Sequence, residues 1–218
     1  MGRLWEEGFR LTASNESATE LVFAIAHEVG NHLGGIRLQA HMLDEDLDAR
    51  SMAEASILID DLAGRSGPLL SLMRPLLRSV WRPAGTSSWS SLLARIQQQI
   101  EDQGTRGVQL SMSVEEGAAQ TAEAPDFEWV HPLLVSLIES TIGHVGRGGK
   151  LDVRLEMGGG GTTLIVEDDG DEEDLSSEAA PRGRPLALSI ARELVGRIGG
   201  RVETSREAGR SRVALVFV

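Results

Sequence analysis

The stretch Val22-Phe23-Ala24-Ile25-Ala26-His27-Glu28-Val29-Gly30-Asn31-His32-Leu33 opens the longest regular pattern in the chain. Apolar residues fall at Val22, Ala26, Val29, Leu33, Ile36, Ala40, Leu43 and Leu47, with spacings that alternate four and three throughout. Such a seam predicts a long helix laid against another helix. Ser14 or Ser17 offers a hydroxyl to cap its N-terminus. A second series, Ala55, Ile59, Leu62, Ser66, Leu69, Met73, Leu76 and Val80, keeps the same spacing with one polar member. A tight turn near Asp46 to Ser51 makes the pair an antiparallel hairpin. A lone hairpin buries little with two narrow seams, so a homodimeric four-helix bundle is the expected completion. Pro68 and Pro75 interrupt the second helix, and a bend is expected near Gly67-Pro68.

Beyond the hairpin, Pro83-Ala84-Gly85-Thr86-Ser87-Ser88 reads as a linker. It divides the chain into a helical hairpin over residues 1–83 and a second domain over 88–218. The second domain reads as helix Ser88–Gln103, strand Val108–Val114, helix Phe127–His144, and strands Leu151–Met157 and Thr162–Glu167. An acidic loop, helix Pro185–Ile198 and strands Gly200–Thr204 and Arg212–Val218 follow. The expected class is therefore α+β, a helical hairpin followed by an α/β sandwich with helices stacked on one sheet.

Composition narrows the function. The 218 residues carry 21 Lys+Arg against 33 Asp+Glu, a net charge of −12, which argues against a nucleic-acid surface. There is no cysteine, hence no disulfide, zinc thiolate or thiol catalysis. No apolar run approaches a membrane span, and residues 1–7 lack the apolar core of a signal peptide. A cytoplasmic protein without membrane insertion is the expectation. With 4 Phe, 4 Trp and no Tyr, the core must be built from Leu, Ile, Val and Ala.

His27 lies one residue past a seam position, so its ring should point to solvent, with Asn31 one turn later on the same face. A neutral imidazole is a competent phosphoryl acceptor near neutral pH. Glu28 can take its proton or orient the ring, and Asn31 can position a water or the phosphoryl group. On spacing alone, ordinary exposed polar residues remain the commoner explanation of such a trio. His41 shares the face of His27 without a flanking carboxylate. His32, His131 and His144 form no ligand spacing with a carboxylate pair, so no metal site is expected.

The stretch from Phe23 to Leu33 resembles the H box of bacterial histidine kinases, His-Glu-x-x-Asn/Thr-Pro-Leu, with His32 where that family has proline. The resemblance implies that His27 is the phosphoacceptor, that Glu28 and Asn31 assist it, and that helix one is straighter here. The second domain is similar to the kinase ATPase module. Gly183-Arg184-Pro185-Leu186-Ala187-Leu188-Ser189-Ile190 resembles the glycine-rich opening of its last helix. Leu164-Ile165-Val166-Glu167-Asp168-Asp169-Gly170 resembles the strand and Asp-x-Gly turn that hold adenine. Phe127 to His144 matches the helix that carries the asparagine box.

The resemblance fails where nucleotide chemistry is needed. Ser136 and Ser140 stand where the family places magnesium-binding asparagine, and a hydroxyl is the poorer ligand. Pro185 has no N–H to offer a phosphate, Ala187 replaces a glycine, and Glu172 replaces the second glycine of the adenine turn. Eight carboxylates lie between Glu167 and Glu178 with no Lys or Arg among them, poor company for a triphosphate. Ser136, Ser140, Asp168, Gly170 and Gly183 thus read as vestiges of a site, with ATP binding lost and magnesium needed only by a partner. The chain is most similar to the kinase-derived histidine phosphotransferases, which pass phosphoryl groups between receiver aspartates without ATP. Response-regulator receiver domains are the partners this implies. The competing readings are an autokinase with an atypical ATP site and a non-catalytic pseudokinase that binds kinases or response regulators.

Overall fold

The computed structural model describes residues 2–43, 48–78, 88–115, 128–158, 161–170 and 183–217, with side chains from residue 17 onward. Among these, helix α1 spans Gly2–Met42 and α2 spans Ala49–Leu77. The expected caps Ser14 and Ser17 lie inside α1, because the helix begins well upstream at Gly2. The start of α2 is capped by Asp48, whose carboxylate accepts from the Ser51 N–H at 2.7 Å. That bond holds the Asp48 carboxyl below its ordinary value. Pro68 and Pro75 both sit inside α2, which the backbone carries through without interruption. The expected linker at 83–87, most of the turn at 44–47, and Leu47, Val80 and Phe127 lie outside the described residues.

The buried stripe of α1 differs from the expected seam. Within one chain Ala18, Leu21, Ile25, Val29 and His32 are buried, whereas Leu33 is 58% exposed and Ala26 and Ala40 are open. The physical reason is that α1 packs against both α2 and the second half of the chain, which turns its buried face by about one residue. In α2 the expected positions Ala55, Ser66, Leu69 and Leu76 are buried, joined by Leu72 and by both prolines.

In the second half, α3 spans Trp89–Gln103 and is capped by the Ser88 hydroxyl, which accepts from Ser91 N–H. Its buried residues, Trp89, Leu92, Leu93, Ile96 and Ile100, follow one helical face. Strand β1 (Gln109–Val114) leads to α4 (Val130–Val145), β2 (Lys150–Gly158), β3 (Gly161–Asp168), α5 (Gly183–Arg197), β4 (Arg201–Glu207) and β5 (Arg210–Phe217). The five strands form one sheet in the order β1-β2-β3-β5-β4. The β1–β2 pair is parallel and the others are antiparallel. On β2, Leu151, Val153 and Leu155 are fully buried and alternate with partly exposed Asp152, Arg154 and Glu156, the pattern of a sheet covered on one face.

One apolar cluster runs through both halves. Leu21, Ile25 and Val29 of α1 and Leu69, Leu72 and Leu76 of α2 share it with residues of α4 and α5. Arg197 near the end of α5 donates to the carbonyls of Leu76 (3.1 Å) and Arg78 (3.2 Å). It thereby satisfies carbonyls that the end of α2 leaves without helical partners. The hairpin is thus seated on the face formed by α4 and α5, and a cleft opens along that seam.

Candidate functional site

His27 is exposed on α1, as a residue one step off the buried stripe must be. Its Nδ1 lies 3.2 Å from the Asn31 side-chain amide, the contact that i, i+4 spacing on a helix allows. As placed, the Asn31 Nδ2 donates to Nδ1, which leaves the ring proton on Nε2; turning the amide by half a turn would let Oδ1 accept from Nδ1–H and free the Nε2 lone pair. His41 is exposed on the same helix.

Glu28 is turned elsewhere. Its Oε1 accepts from the backbone N–H of Gly183 at 3.3 Å, at the start of α5. The same oxygen lies 3.8 Å from His32 Nε2, and both side chains are largely buried, at 14% and 9% exposure. His32 Nδ1 is 3.0 Å from the Ser66 hydroxyl of α2. Burial holds the His32 ring below its ordinary pKa, against the opposing charge of Glu28 and with that of Arg65.

These groups line a cleft of about 330 Å³ between the hairpin and the α4–α5 face. From α4 come Ser136, Glu139, Ser140 and His144, from α2 Arg65, and from α5 Gly183 and Arg184. Glu139 is buried with one carboxylate oxygen unpartnered, and burial pushes its pKa up to about 7 despite the Arg65 charge and a bond from Gln103. Ser140 spends its hydroxyl on the Leu137 carbonyl at 2.9 Å. The Nε atom of Arg184 is buried without a hydrogen-bond partner.

Asp168 ends β3 at 1% exposure. One of its oxygens accepts from Arg184 at 2.7 Å and the other from the Gly170 N–H at 3.0 Å. Gly170 is glycine for room, since a Cβ there would sit 2.8 Å from the His144 ring. Glu167, counted in the sequence among the acidic run, faces the sheet surface and is paired with Arg154 (2.8 Å) and Arg210 (2.9 Å). Those two arginines, Arg210 first, hold its carboxyl below the usual range. Glu172 and the rest of the acidic loop lie outside the described residues.

The structure thus brings Glu28, Ser136, Ser140 and Gly183 to one cleft and sets His27 and Asn31 on the outer surface of the same helix. Sequence reasoning missed His32, Arg65, Glu139 and Arg184. Arg184 carried a signal, standing inside a glycine-rich motif, and so did His32, standing where proline was expected. Arg65 and Glu139 carried none, because their meaning depends on α2 meeting α4. Among the described residues no group of three His, Asp or Glu side chains is arranged to hold a metal, and no helix is long and apolar enough to cross a membrane.

The fold is shared with solved structures. The histidine kinase AdeS of Acinetobacter baumannii matches with a TM-score of 0.56 and 15% identity, over 88% of this chain and 96% of that one. A bacterial phosphotransferase matches with a TM-score of 0.58 and 14% identity, over 92% and 95%. The histidine kinase ThkA, in a structure with the response regulator protein TrrA, matches with a TM-score of 0.65 and 16% identity, over 98% of this chain and 65% of that one. At these identities the likeness is one of fold: a helical hairpin joined to a sheet-and-helix unit like the kinase ATPase domain. No family model and no curated protein matches the sequence.

Proposed function

We propose that this protein is a histidine phosphotransfer protein of a two-component phosphorelay, in which His27 carries phosphoryl groups between receiver aspartates without ATP. The observation that carries the reading is the exposed His27 ring, held at Nδ1 by Asn31. In the forward step the Nε2 lone pair attacks the phosphorus of a receiver phospho-aspartate. The P–O bond to aspartate breaks, its electron pair returns to the carboxylate, and the Nδ1 proton is given up to water, or to Glu28 once its carboxylate has left the cleft. In-line approach to an exposed ring makes positioning the main source of rate. Magnesium is required only in the receiver.

Transfer without ATP is supported by the residues at the nucleotide-like positions. Each oxygen of Asp168 already accepts a bond, from Arg184 or from Gly170, so an adenine amino group would have to share the carboxylate with a buried ion pair. Pro185 offers no N–H, Ser140 bonds its own helix, and Glu28 of α1 brings a carboxylate into the same cleft. A homodimer through the hairpin is supported by its uncovered apolar side chains, with Phe23 71%, Leu33 58%, Leu38 59% and Ile57 70% exposed. The protein would work in the cytoplasm, where receivers reside.

The test is a labelling assay with phosphorylated receiver domains, run on wild type and His27→Ala. Wild type is expected to take label at an acid-labile, alkali-stable linkage and His27→Ala none, while incubation with labelled ATP and magnesium labels neither. Label on His27→Ala overturns the site. Label from ATP on the wild type makes the protein an autokinase, and receiver binding without any labelling makes it an interaction protein.

A further inference from the structure

We propose that His32 is a positioning residue for Glu28: its buried ring decides whether the Glu28 carboxylate stays in the cleft or is released toward the neighbouring His27. The proposal rests on the phosphotransfer reading of His27. Its geometry begins at Ser66, whose hydroxyl donates its single proton to the Leu62 carbonyl at 2.8 Å. Toward His32 Nδ1, 3.0 Å away, that hydroxyl can therefore only accept. The ring proton sits on Nδ1, and Nε2 presents a lone pair to Glu28 Oε1 across 3.8 Å. Two acceptors thus face each other over a gap that one added proton would bridge.

A neutral ring gives Glu28 no donor, and the remaining ties of that carboxylate are the long 3.3 Å bond from Gly183 N–H and the charge of Arg65. A protonated ring gives it a donor and an opposite charge, and the carboxylate stays in the cleft. Residues i and i+1 diverge on a helix, so Glu28 serves His27 only by leaving that position. The other charged or titratable groups around the ring are Arg65 from α2, Glu139 and His144 from α4, and Arg184 from α5. Burial outweighs Glu28 in setting the protonation of His32 and keeps the ring neutral near pH 7, where transfer is therefore open.

The experiment measures the rate of phosphoryl transfer from a receiver to wild type, His32→Gln and His32→Met over about pH 5 to 8. A ring that must be deprotonated costs about tenfold in rate per pH unit below its pKa. His32 adds such a dependence in the wild type, on top of whatever dependence the three proteins share. Glutamine mimics the donor permanently, while methionine fills the space without one and leaves Ser66 its bond to Leu62. Across the pH interval in which His32 protonates, the slope of log rate against pH is expected to be steeper in wild type than in both variants, for a total extra loss of about tenfold. At pH 7.5 His32→Gln is expected to be about tenfold slower than His32→Met. Equal slopes in all three proteins overturn the proposal. Nitrogen-detected imidazole spectra of unphosphorylated wild type and Glu28→Gln give a test that needs no His32 variant and no transfer. The Nδ1–H tautomer and a His32 pKa that falls when Glu28 is neutralised are expected. The Nε2–H tautomer, or a pKa unmoved by Glu28→Gln, overturns the proposal. Failure of wild type to take label overturns the phosphotransfer reading instead.

Discussion

Replacing Glu139 by glutamine should make the protein more stable at alkaline pH and leave it nearly unchanged in acid. Glu139 lies on α4 at 7% exposure, between fully buried Ile138 and buried Ile142, with one oxygen unpartnered. Burial raises its pKa from 4.5 to about 7, with Arg65 and Gln103 offsetting part of the cost. The folded chain therefore holds a proton that the unfolded chain has released between those two values. Stability is at its full value below pH 4.5 and is lost as pH rises through 7. A shift of about 2.5 pH units at 1.36 kcal/mol each corresponds to roughly 3 kcal/mol. Glutamine has the shape of the protonated acid and never ionises. Urea denaturation of both proteins at about pH 5 and pH 8 should show a stability difference that grows by roughly 2–3 kcal/mol in favour of the variant. A difference that stays constant across that range, or grows in acid, would refute a buried, proton-holding Glu139.

Two further outcomes follow from buried and exposed groups elsewhere. Asp168→Ala leaves the Arg184 guanidinium charged in a site of 5% exposure and should cost about 3–5 kcal/mol in a thermal or urea melt; a loss under about 1 kcal/mol would mean that water already reaches the pair. Leu33→Glu and Ile57→Glu place charges on side chains exposed within one chain, so light scattering should show monomers with unchanged helicity, and dimers that survive both substitutions would put the homodimer interface elsewhere.

The elements of the second half were legible because each carries its own local signal. Ser88 caps α3 and the apolar spacing of Trp89 to Ile100 is helical, while β2 alternates and β3 is bounded by Asp168. The hairpin was legible as two helices, yet the buried stripe of α1 was placed on Val22, Ala26 and Leu33 instead of Leu21, Ile25 and His32. Heptad spacing identifies a helix and a stripe, but which flank is covered depends on what packs there, and α5 lies far along the chain. The N-terminal cap failed for a related reason: a serine marks a possible start only where the helical pattern stops upstream. At the site, His27 and Asn31 were placed by helical arithmetic alone. The Glu28 carboxylate was not, because adjacency in sequence was read as adjacency in space, whereas neighbours on a helix point about 100° apart.

That divergence bears on why the chain carries a sheet-and-helix unit beside the hairpin that holds His27. The unit covers Leu69, Leu72 and Leu76 of α2 and Leu21, Ile25 and Val29 of α1, so the hairpin would expose a continuous apolar face without it. Burial at about 25 cal/mol per Å² makes six such side chains a large part of a marginal stability. Arg197 adds hydrogen bonds to the end of α2. The same docking puts the Gly183 N–H beside Glu28 and closes His32 off from solvent, creating the buried environment that keeps its ring neutral. The polar groups aimed into the cleft are paired with one another or with the hairpin. Arg184 turns inward to neutralise Asp168, Glu139 faces Arg65, and Glu28 meets the start of α5. These pairings tie the cleft to the docking of the hairpin, and the Glu28 carboxylate, next to His27 in sequence, is one of them.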